Sequence, residues 1–280
     1  MQSVAIVGAG ALGGAIAHTL ARRDVVRRVT LIDESGRVAE GKALDIAQAA
    51  PIEGFATQLT GTTDLTHAAG AAVIVIADRV AGGEWQGDEA LMLLKRLTQT
   101  SSDAVLLCAG ATAREAIDRG VVELKISRRR LFASAPEALA SAVRALVALA
   151  VNGSAQDVGL AVLGVPPNHV VVPWEEVTVA GFALTRLLDE PARRRLHAKI
   201  AALWPPGPHA LAAAATKAIE SMAGRHRQLL SAFVAPDLTA GARTRTAALP
   251  IRLGSRGVEE VVRPELSVVE QVALDNAMTL

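Results

Sequence analysis

The most constraining feature of this sequence is a glycine-rich turn close to its N-terminus. An apolar run at residues 4–7 leads into Gly8, Gly10 and Gly13, spaced G-x-G-x-x-G, and an alanine-rich helical stretch follows. In such a strand–turn–helix unit the first glycine permits the tight turn, the second lets a pyrophosphate approach the backbone, and the third lets helix and strand pack closely. The pattern predicts a dinucleotide-binding site at the start of the helix.

An acidic residue at the end of the second apolar run indicates which dinucleotide is preferred. Asp33 follows Gly13 by about 20 residues, which is the spacing of a carboxylate that accepts the ribose hydroxyls. That carboxylate would repel a 2′-phosphate, so we expect NAD rather than NADP. The alternative is a glycine-rich turn in an α/β protein that has no cofactor there. The predicted cofactor-binding residues are Gly8, Gly10, Ala11, Leu12, Gly13, Asp33 and Ala77.

Composition narrows the class of protein. Of 280 residues, 51% are hydrophobic and 20% charged, which predicts a packed core, and a net charge of +1 argues against a nucleic-acid-binding protein. The single cysteine, Cys108, excludes an internal disulfide and suits a reducing, cytoplasmic location. We expect no signal peptide, because strand residues begin at once. The most apolar run, residues 138–151, is short and contains Arg144, so we expect no membrane span.

Apolar runs alternate with helical stretches through the first half of the chain. The predicted strands are residues 4–7, 29–32, 56–59, 72–76, 104–108 and 131–133. Near-continuous apolar strands alternating with helices predict a doubly wound parallel Rossmann sheet of an α/β protein, which we expect to occupy residues 1–134. A second, α+β and mostly antiparallel domain is predicted for residues 135–280.

The elements predicted for the second half are less regular. Helices are predicted at residues 138–151, 191–203 and 210–233, and strands at 158–163, 170–173 and 178–180. A hairpin is predicted from residues 243–253 and 258–262, which flank a glycine-containing turn. Ser267 and Glu270 form a capping-box pattern that opens the last helix.

Several segments resemble the lactate/malate dehydrogenase family, most closely its malate dehydrogenases. They are GKALDIAQAAPIEGF at residues 41–55, TGTTDL at 60–65, QDVGLAVLG at 156–164 and LPIRLGSRGVEEVV at 249–262, together with the glycine turn. The resemblance covers essentially the whole chain. It implies a Rossmann domain with NAD, a substrate domain, the interconversion of 2-hydroxy and 2-oxo acids, and dimers or tetramers.

The resemblance also implies a catalytic histidine, an aspartate that orients it and three substrate-binding arginines, and this chain departs from the pattern at each position. The matching positions hold Pro166, Leu139, Ala142, Ala81 and Gly87. The small residue beside the cofactor is replaced by Asp78 or Arg79. We therefore predict that oxidation of malate or lactate is lost and that NAD binding is weak, although Arg79 would strengthen binding if it paired with a phosphate.

Three polar residues lie close to the lost catalytic positions. His169 follows Pro166 by three residues and is a candidate for the missing histidine, although a structural loop or strand histidine is the simpler interpretation. Glu137 and Arg144 each lie two residues from the matching helical position and so face the opposite side. We expect Glu137 to be a first-turn acid near the helix dipole and Arg144 to be solvated.

Two functional hypotheses follow. One is a catalytically degenerate dehydrogenase relative that binds a dinucleotide or a partner protein. The other is an active NAD-dependent oxidoreductase with a rebuilt site that uses His169, Arg79 or Glu84 on a different substrate. We expect no metal site, since the histidines are scattered. A homodimer or homotetramer is predicted from a stripe of mostly small residues, Ala39, Ala43, Ile46, Ala47 and Ala50.

Overall fold

The first half of the chain forms a parallel sheet of six strands. The structure, a computed structural model, describes residues 1–237 and 244–280. The strands are β1 (Ser3–Val7), β2 (Arg28–Ile32), β3 (Gln58–Thr62), β4 (Val73–Ile76), β5 (Val105–Cys108) and β6 (Leu131–Ala133). Their spatial order is β3-β2-β1-β4-β5-β6, which confirms the doubly wound Rossmann prediction. The order reverses between β1 and β4, and this switch point is where such sheets bind ligands.

Helices cover both faces of this sheet, because successive side chains of each strand point to opposite sides. Val4 and Ile6 of β1 lie in one apolar cluster and Ala5 and Val7 in another, so the strand is buried on both faces. The helices are α1 (Ala11–Arg22), α2 (Gly36–Glu53), α3 (Gly87–Thr100), α4 (Arg114–Val122), α5 (Ala135–Val151), α6 (Glu190–His197), α7 (Pro208–Met222) and α8 (Val268–Ala277).

The second half is mostly antiparallel, as predicted. Its strands are β7 (Val158–Gly159), β8 (Leu163–Val165), β9 (His169–Val171), β10 (Thr178–Val179), β11 (Phe182–Ala183), β12 (Leu230–Val234), β13 (Ala247–Gly254) and β14 (Gly257–Val261). Five of them extend the parallel sheet, in which β12 pairs with β6 through Phe233 and Ala133. The other three form a small separate sheet. The domain boundary at residue 134 stays a prediction, because one continuous sheet crosses it.

Some predicted elements of the second half differ from the structure. The helix predicted over residues 210–233 is wrong in its last part, since α7 ends at Met222 and residues 230–234 are strand β12. Gly224 has a φ of +80°, a conformation that ends helices. The strand predicted over residues 158–163 is divided between β7 and β8, and residues 200–203 form a separate 3₁₀ turn. The capping box of Ser267 and Glu270 is confirmed. Arg243, in the predicted hairpin, lies outside the described residues.

The small-residue stripe on α2 packs within its own subunit. Ala39, Ala43 and Ile46 are buried and belong to the apolar cluster that α1 and the sheet share. The stripe therefore does not itself indicate a subunit interface, and the oligomeric state stays a prediction. Leu44 and Ile52 of the same helix are exposed. Within residues 1–237 and 244–280, no helix is long and apolar enough to span a bilayer.

Candidate functional site

The glycine turn has the backbone geometry that its spacing predicts. Gly8 has a φ of +107°, a conformation that favours glycine. A Cβ atom added to Gly13 would lie 2.0 Å from the carbonyl oxygen of Gly8, so no other residue fits there. Of the other predicted cofactor-binding residues, Leu12 and Ala77 are each 2% exposed, whereas Ala11 is exposed.

Asp33 holds the turn to neighbouring loops through its carboxylate. Its Oδ2 accepts hydrogen bonds from the backbone N–H of Ala9 at 2.8 Å and of Val80 at 3.1 Å. Its Oδ1 accepts one from Ser35 N–H at 2.9 Å. Because a carboxylate has about four acceptor sites, Asp33 keeps about one for a ribose hydroxyl. The expectation that it accepts both hydroxyls does not fit this arrangement.

Lys42, which the sequence analysis did not single out, fixes the turn from α2. Its Nζ donates to the carbonyl oxygens of Ala9 at 2.6 Å and Gly10 at 2.7 Å. The only signal for this contact was the position of Lys42 within the segment that resembles malate dehydrogenases. The turn is therefore held on its N–H side by Asp33 and on its carbonyl side by Lys42.

The carboxylate of Asp78 lies inside the glycine turn. Its Oδ1 accepts a hydrogen bond from Gly13 N–H at 2.9 Å, and the Asp78 carbonyl oxygen accepts one from Gly10 N–H at 2.9 Å. A Cβ atom added to Gly10 would lie 2.4 Å from Asp78 Cγ, so the carboxylate fills the space that the missing side chain leaves. This is the space in which a pyrophosphate would approach the turn.

A second carboxylate, that of Glu84, binds backbone N–H groups beyond the carboxyl end of β5. It accepts hydrogen bonds from Ala111 N–H at 3.0 Å and from Thr112 N–H at 2.8 Å. The Thr112 hydroxyl donates to it at 2.5 Å. Glu84 therefore joins the loop after β4 to the turn that precedes α4, at the carboxyl ends of the parallel strands.

Arg79 turns away from the glycine turn and contacts the outer part of its own loop. Its guanidinium carbon lies 4.4 Å from the centre of the Trp85 ring, a cation–π contact, and its NH2 nitrogen lies 2.9 Å from Glu89. Trp85, Glu84, Cys108 and Gly110 line a remaining cavity of about 20 Å³. A cavity of that size holds about one water molecule.

Cys108 lines this cavity and is a buried, free thiol at the end of β5. Burial, and secondarily the charge of Glu84, raise the pKa of the Cys108 thiol to about 12. Because a thiol rather than a thiolate is present at neutral pH, Cys108 does not supply a nucleophile.

At the positions that the resemblance matches to the family's histidine and its orienting acid, the structure has apolar groups. Leu139 is 0% exposed in an apolar cluster with Val143 and Val147, and Pro166 is buried. Glu137 lies in the first turn of α5, as expected, but it is 3% exposed. The expectation that Arg144 is solvated is wrong, because its side chain is 17% exposed and lies 2.8 Å from the Glu137 carboxylate. The Glu137 carboxylate also accepts hydrogen bonds from Lys217 at 2.8 Å and from Ser231 N–H at 2.9 Å, contacts far away in sequence.

His169 and Arg79 lie on different parts of the sheet. His169 is exposed at the start of β9, and five strands separate β9 from β4, which Arg79 follows. Among the described residues, no group of three or more His, Cys, Asp or Glu side chains could hold a metal ion.

Comparison with known proteins relates the chain to one family. A family profile described as lactate/malate dehydrogenase, NAD binding domain, matches residues 2–96. Malate dehydrogenases of Thioalkalivibrio sulfidiphilus and Desulforudis audaxviator are each 28% identical to the chain, over 99% of it and 96% of their own length. The chain is similar to the lactate/malate dehydrogenase family. The family description also confirms NAD as the predicted dinucleotide.

Solved structures of this family share the fold. Malate dehydrogenase from Salinibacter ruber matches with a TM-score of 0.86 at 22% identity, covering 98% of this chain and 93% of that one. Lactate dehydrogenase from Cryptosporidium parvum, solved with lactic acid and NAD, matches with a TM-score of 0.88 at 20% identity, covering 99% and 94%.

The NAD site of this lactate/malate dehydrogenase relative fits its cofactor only in part. The glycine turn is formed, and Asp33 lies at the end of β2 where the spacing places it. The space beside Gly10 does not fit a pyrophosphate, because the Asp78 carboxylate is already there. The disagreement beside Gly10 arises from Asp78, in the loop that follows β4.

Proposed function

We propose that this chain is an NAD-binding member of the lactate/malate dehydrogenase family that does not interconvert 2-hydroxy and 2-oxo acids. The observation that carries the proposal is the burial of Leu139 in an apolar cluster, at the position that matches the acid orienting the family's histidine. Hydride transfer from a hydroxy acid requires a base within hydrogen-bond reach of the hydroxyl group. Neither Leu139 nor Pro166 has a titratable group.

The charges beyond the carboxyl ends of β1, β4 and β5, a space here called the crevice, also support loss of the reaction. The crevice holds the carboxylates of Asp78 and Glu84. Of the two neighbouring cations described above, Arg79 is paired with Glu89, and Lys42 donates to the carbonyl oxygens of the glycine turn. A 2-hydroxy acid is an anion and needs a cation that hydrogen-bonds to its carboxylate. Ala142, at the position that matches the carboxylate-binding arginine, cannot provide that contact.

The size of these losses supports inactivity rather than altered specificity. Loss of a general acid/base lowers a rate by about 10²–10⁴-fold. Truncation of a buried partner of a charge pair costs about 2–5 kcal/mol of binding. His169 is exposed and Glu137 is bound by Arg144 and Lys217, so neither is positioned to replace the lost groups.

The test is NADH formation from a panel of 2-hydroxy acids, with the reverse reaction followed from the 2-oxo acids. A malate dehydrogenase assayed in parallel gives the positive control, and His169→Ala tests the remaining candidate base. We expect turnover far below about 1 s⁻¹, the low end for ordinary enzymes. Turnover above that value would show that the site has been rebuilt, and its loss in His169→Ala would assign the base.

A homo-oligomer in the cytoplasm is part of the same proposal. Exposed Leu44 and Ile52 on α2 supply apolar surface for a subunit contact, and a single free cysteine suits a reducing compartment. Light scattering at micromolar concentration tests the assembly, and a monomeric mass would contradict it.

A further inference from the structure

We infer that Asp78 is a built-in competitor for the dinucleotide phosphates, so that NAD binds only when the Asp78 carboxylate leaves the glycine turn. Asp78 begins the segment of residues 78–85, here called the crevice segment, which follows β4 and leads to α3. The inference rests on the proposed function, because it describes how the NAD site of this chain is closed.

The Asp78 carboxylate makes the contacts that a phosphate oxygen would make. Helix α1 begins after Gly10, which has no side chain that could accept a hydrogen bond from the first turn. Asp78 accepts that bond from Gly13 N–H, although 65 residues separate the two in sequence. A negative charge is favoured at a helix N-terminus, because free N–H groups and the helix dipole both point to it. The Asp78 carboxylate therefore supplies the anion at this helix N-terminus from within the protein itself.

The glycine turn is held by hydrogen bonds on both its N–H and its carbonyl side. Ala9 N–H is bound by Asp33, and the carbonyl oxygens of Ala9 and Gly10 are bound by Lys42. Gly13 is in contact with Gly8, so the turn is packed against itself. A phosphate can enter only if the Asp78 carboxylate leaves Gly13 N–H.

The far end of the crevice segment is held by a second set of contacts. Glu84 accepts hydrogen bonds from Ala111 and Thr112, and Arg79 joins Trp85 to Glu89. Trp85 and Glu84 of the segment line a cavity of about 20 Å³ with Cys108, enough space for about one water molecule. The segment thus covers the crevice from the glycine turn to the end of β5.

Two consequences for affinity follow. NAD must displace a charge-assisted hydrogen bond at Gly13, and its phosphates must approach a fixed negative charge. Replacing Asp78 by glycine removes both, so we expect Asp78→Gly to bind NAD at least about tenfold more tightly than the native chain, or about 1.4 kcal/mol. Asp78→Asn removes the charge but keeps an oxygen that accepts a hydrogen bond, so its affinity should lie between the two.

The experiment is a calorimetric titration of NAD into the native chain and into the variants Asp78→Gly and Asp78→Asn. The control variant is Asp103→Asn, which removes an exposed carboxylate in the turn after α3. Thermal unfolding without ligand establishes that each variant is folded. We expect Asp103→Asn to match the native Kd. Equal NAD affinity of the native chain and both Asp78 variants would overturn the inference and leave the proposed function standing. No NAD binding by any variant at millimolar concentration would overturn both.

A second measurement tests the resident carboxylate without any ligand. In a ¹H–¹⁵N spectrum of the native chain, the Gly13 amide proton should lie downfield, because it donates to a charged acceptor. We expect a clear upfield shift of this resonance in Asp78→Gly and a smaller one in Asp78→Asn. An unchanged Gly13 resonance in both variants would show that the carboxylate does not occupy the turn.

Discussion

Glu137 Oε1 and Lys217 Nζ lie 2.8 Å apart and join α5 to α7, although 80 residues separate them in sequence. The same oxygen accepts a hydrogen bond from Arg144, and the other carboxylate oxygen accepts one from Ser231 N–H in β12. One buried carboxylate therefore holds two helices and a strand. Removing this carboxylate is costly, because Arg144 and Lys217, at 17% and 26% exposed, lose the anion that they share.

We predict that Glu137→Gln lowers the free energy of unfolding by about 3–5 kcal/mol, the cost of breaking a buried ion pair. The glutamine keeps the volume of the side chain but leaves Arg144 and Lys217 without their anion. Urea unfolding measures the change, and Glu265→Gln, at an exposed acid, is the matched control. A loss of less than about 0.5 kcal/mol, the range of ordinary surface substitutions, would contradict the role assigned to Glu137.

Two glycines should respond to alanine in opposite directions. In Gly13→Ala the new Cβ would lie 2.0 Å from Gly8 O, whereas at Gly41, in α2, no atom lies within 4 Å. We predict that Gly41→Ala raises the free energy of unfolding by about 0.5–1 kcal/mol, because alanine favours the helix. Gly13→Ala should lower it by more than about 1 kcal/mol, since the backbone of the turn must shift. Chemical denaturation of both variants provides the comparison, and equal effects would refute it.

Asp33 should control both cofactor choice and the position of the loop after β4. Asp33→Asn removes the charge that repels a 2′-phosphate. The carboxylate oxygens of Asp33 accept hydrogen bonds from the backbone N–H groups of Ala9, Ser35 and Val80. The substitution also replaces one of these oxygens by an amide nitrogen. We predict that the ratio of NADP to NAD affinity rises at least about tenfold, a change of about 1.4 kcal/mol. Titration with both dinucleotides gives this ratio, and an unchanged ratio would assign the preference to another residue.

The Cys108 thiol should make the protein sensitive to alkaline pH. Its pKa is raised from 9.0 to about 12 by burial and by Glu84, so the folded chain disfavours the thiolate. The stability this provides is complete below pH 9 and is lost as the pH rises towards 12. We predict that unfolding free energy falls more steeply over this range in the native chain than in Cys108→Ala. A thiol reagent at pH 8 should modify Cys108 only after unfolding, and rapid modification of the folded chain would contradict its burial.

Local sequence patterns predicted the parallel half well and the crevice poorly, for a physical reason. Gly8, Gly13 and Asp33 belong to a spacing that one short segment carries, so their positions follow from the sequence. The replacement of a small residue by Asp78 or Arg79 was visible too. Which of the two fills the turn depends on a contact with Gly13 across 65 residues, and that contact is visible only in the structure.

Strand β12 shows the same limit for secondary structure. Residues 230–234 are a short apolar run beside an alanine-rich helix, and periodicity alone does not distinguish a buried strand from a continued helix. The run is a strand because β6 and β13 flank it and bind its backbone. The bonds that Glu137 makes were missed for the same reason. Its partners in α7 and β12 are distant in sequence, so the local pattern showed only an acid near the start of a helix.

The pairing of Phe233 with Ala133 has a consequence for how this protein can move. Proteins that close around a ligand commonly do so by rotating two lobes about a hinge, with few contacts between the lobes. In this chain β6 and β12 pair through Ala133 and Phe233, and rotation of the two halves of the chain would break that contact. If Asp78 competes with the phosphates, a ligand reaches the glycine turn through movement of that side chain while the halves stay joined, and the rate of this movement would set how quickly a ligand can associate.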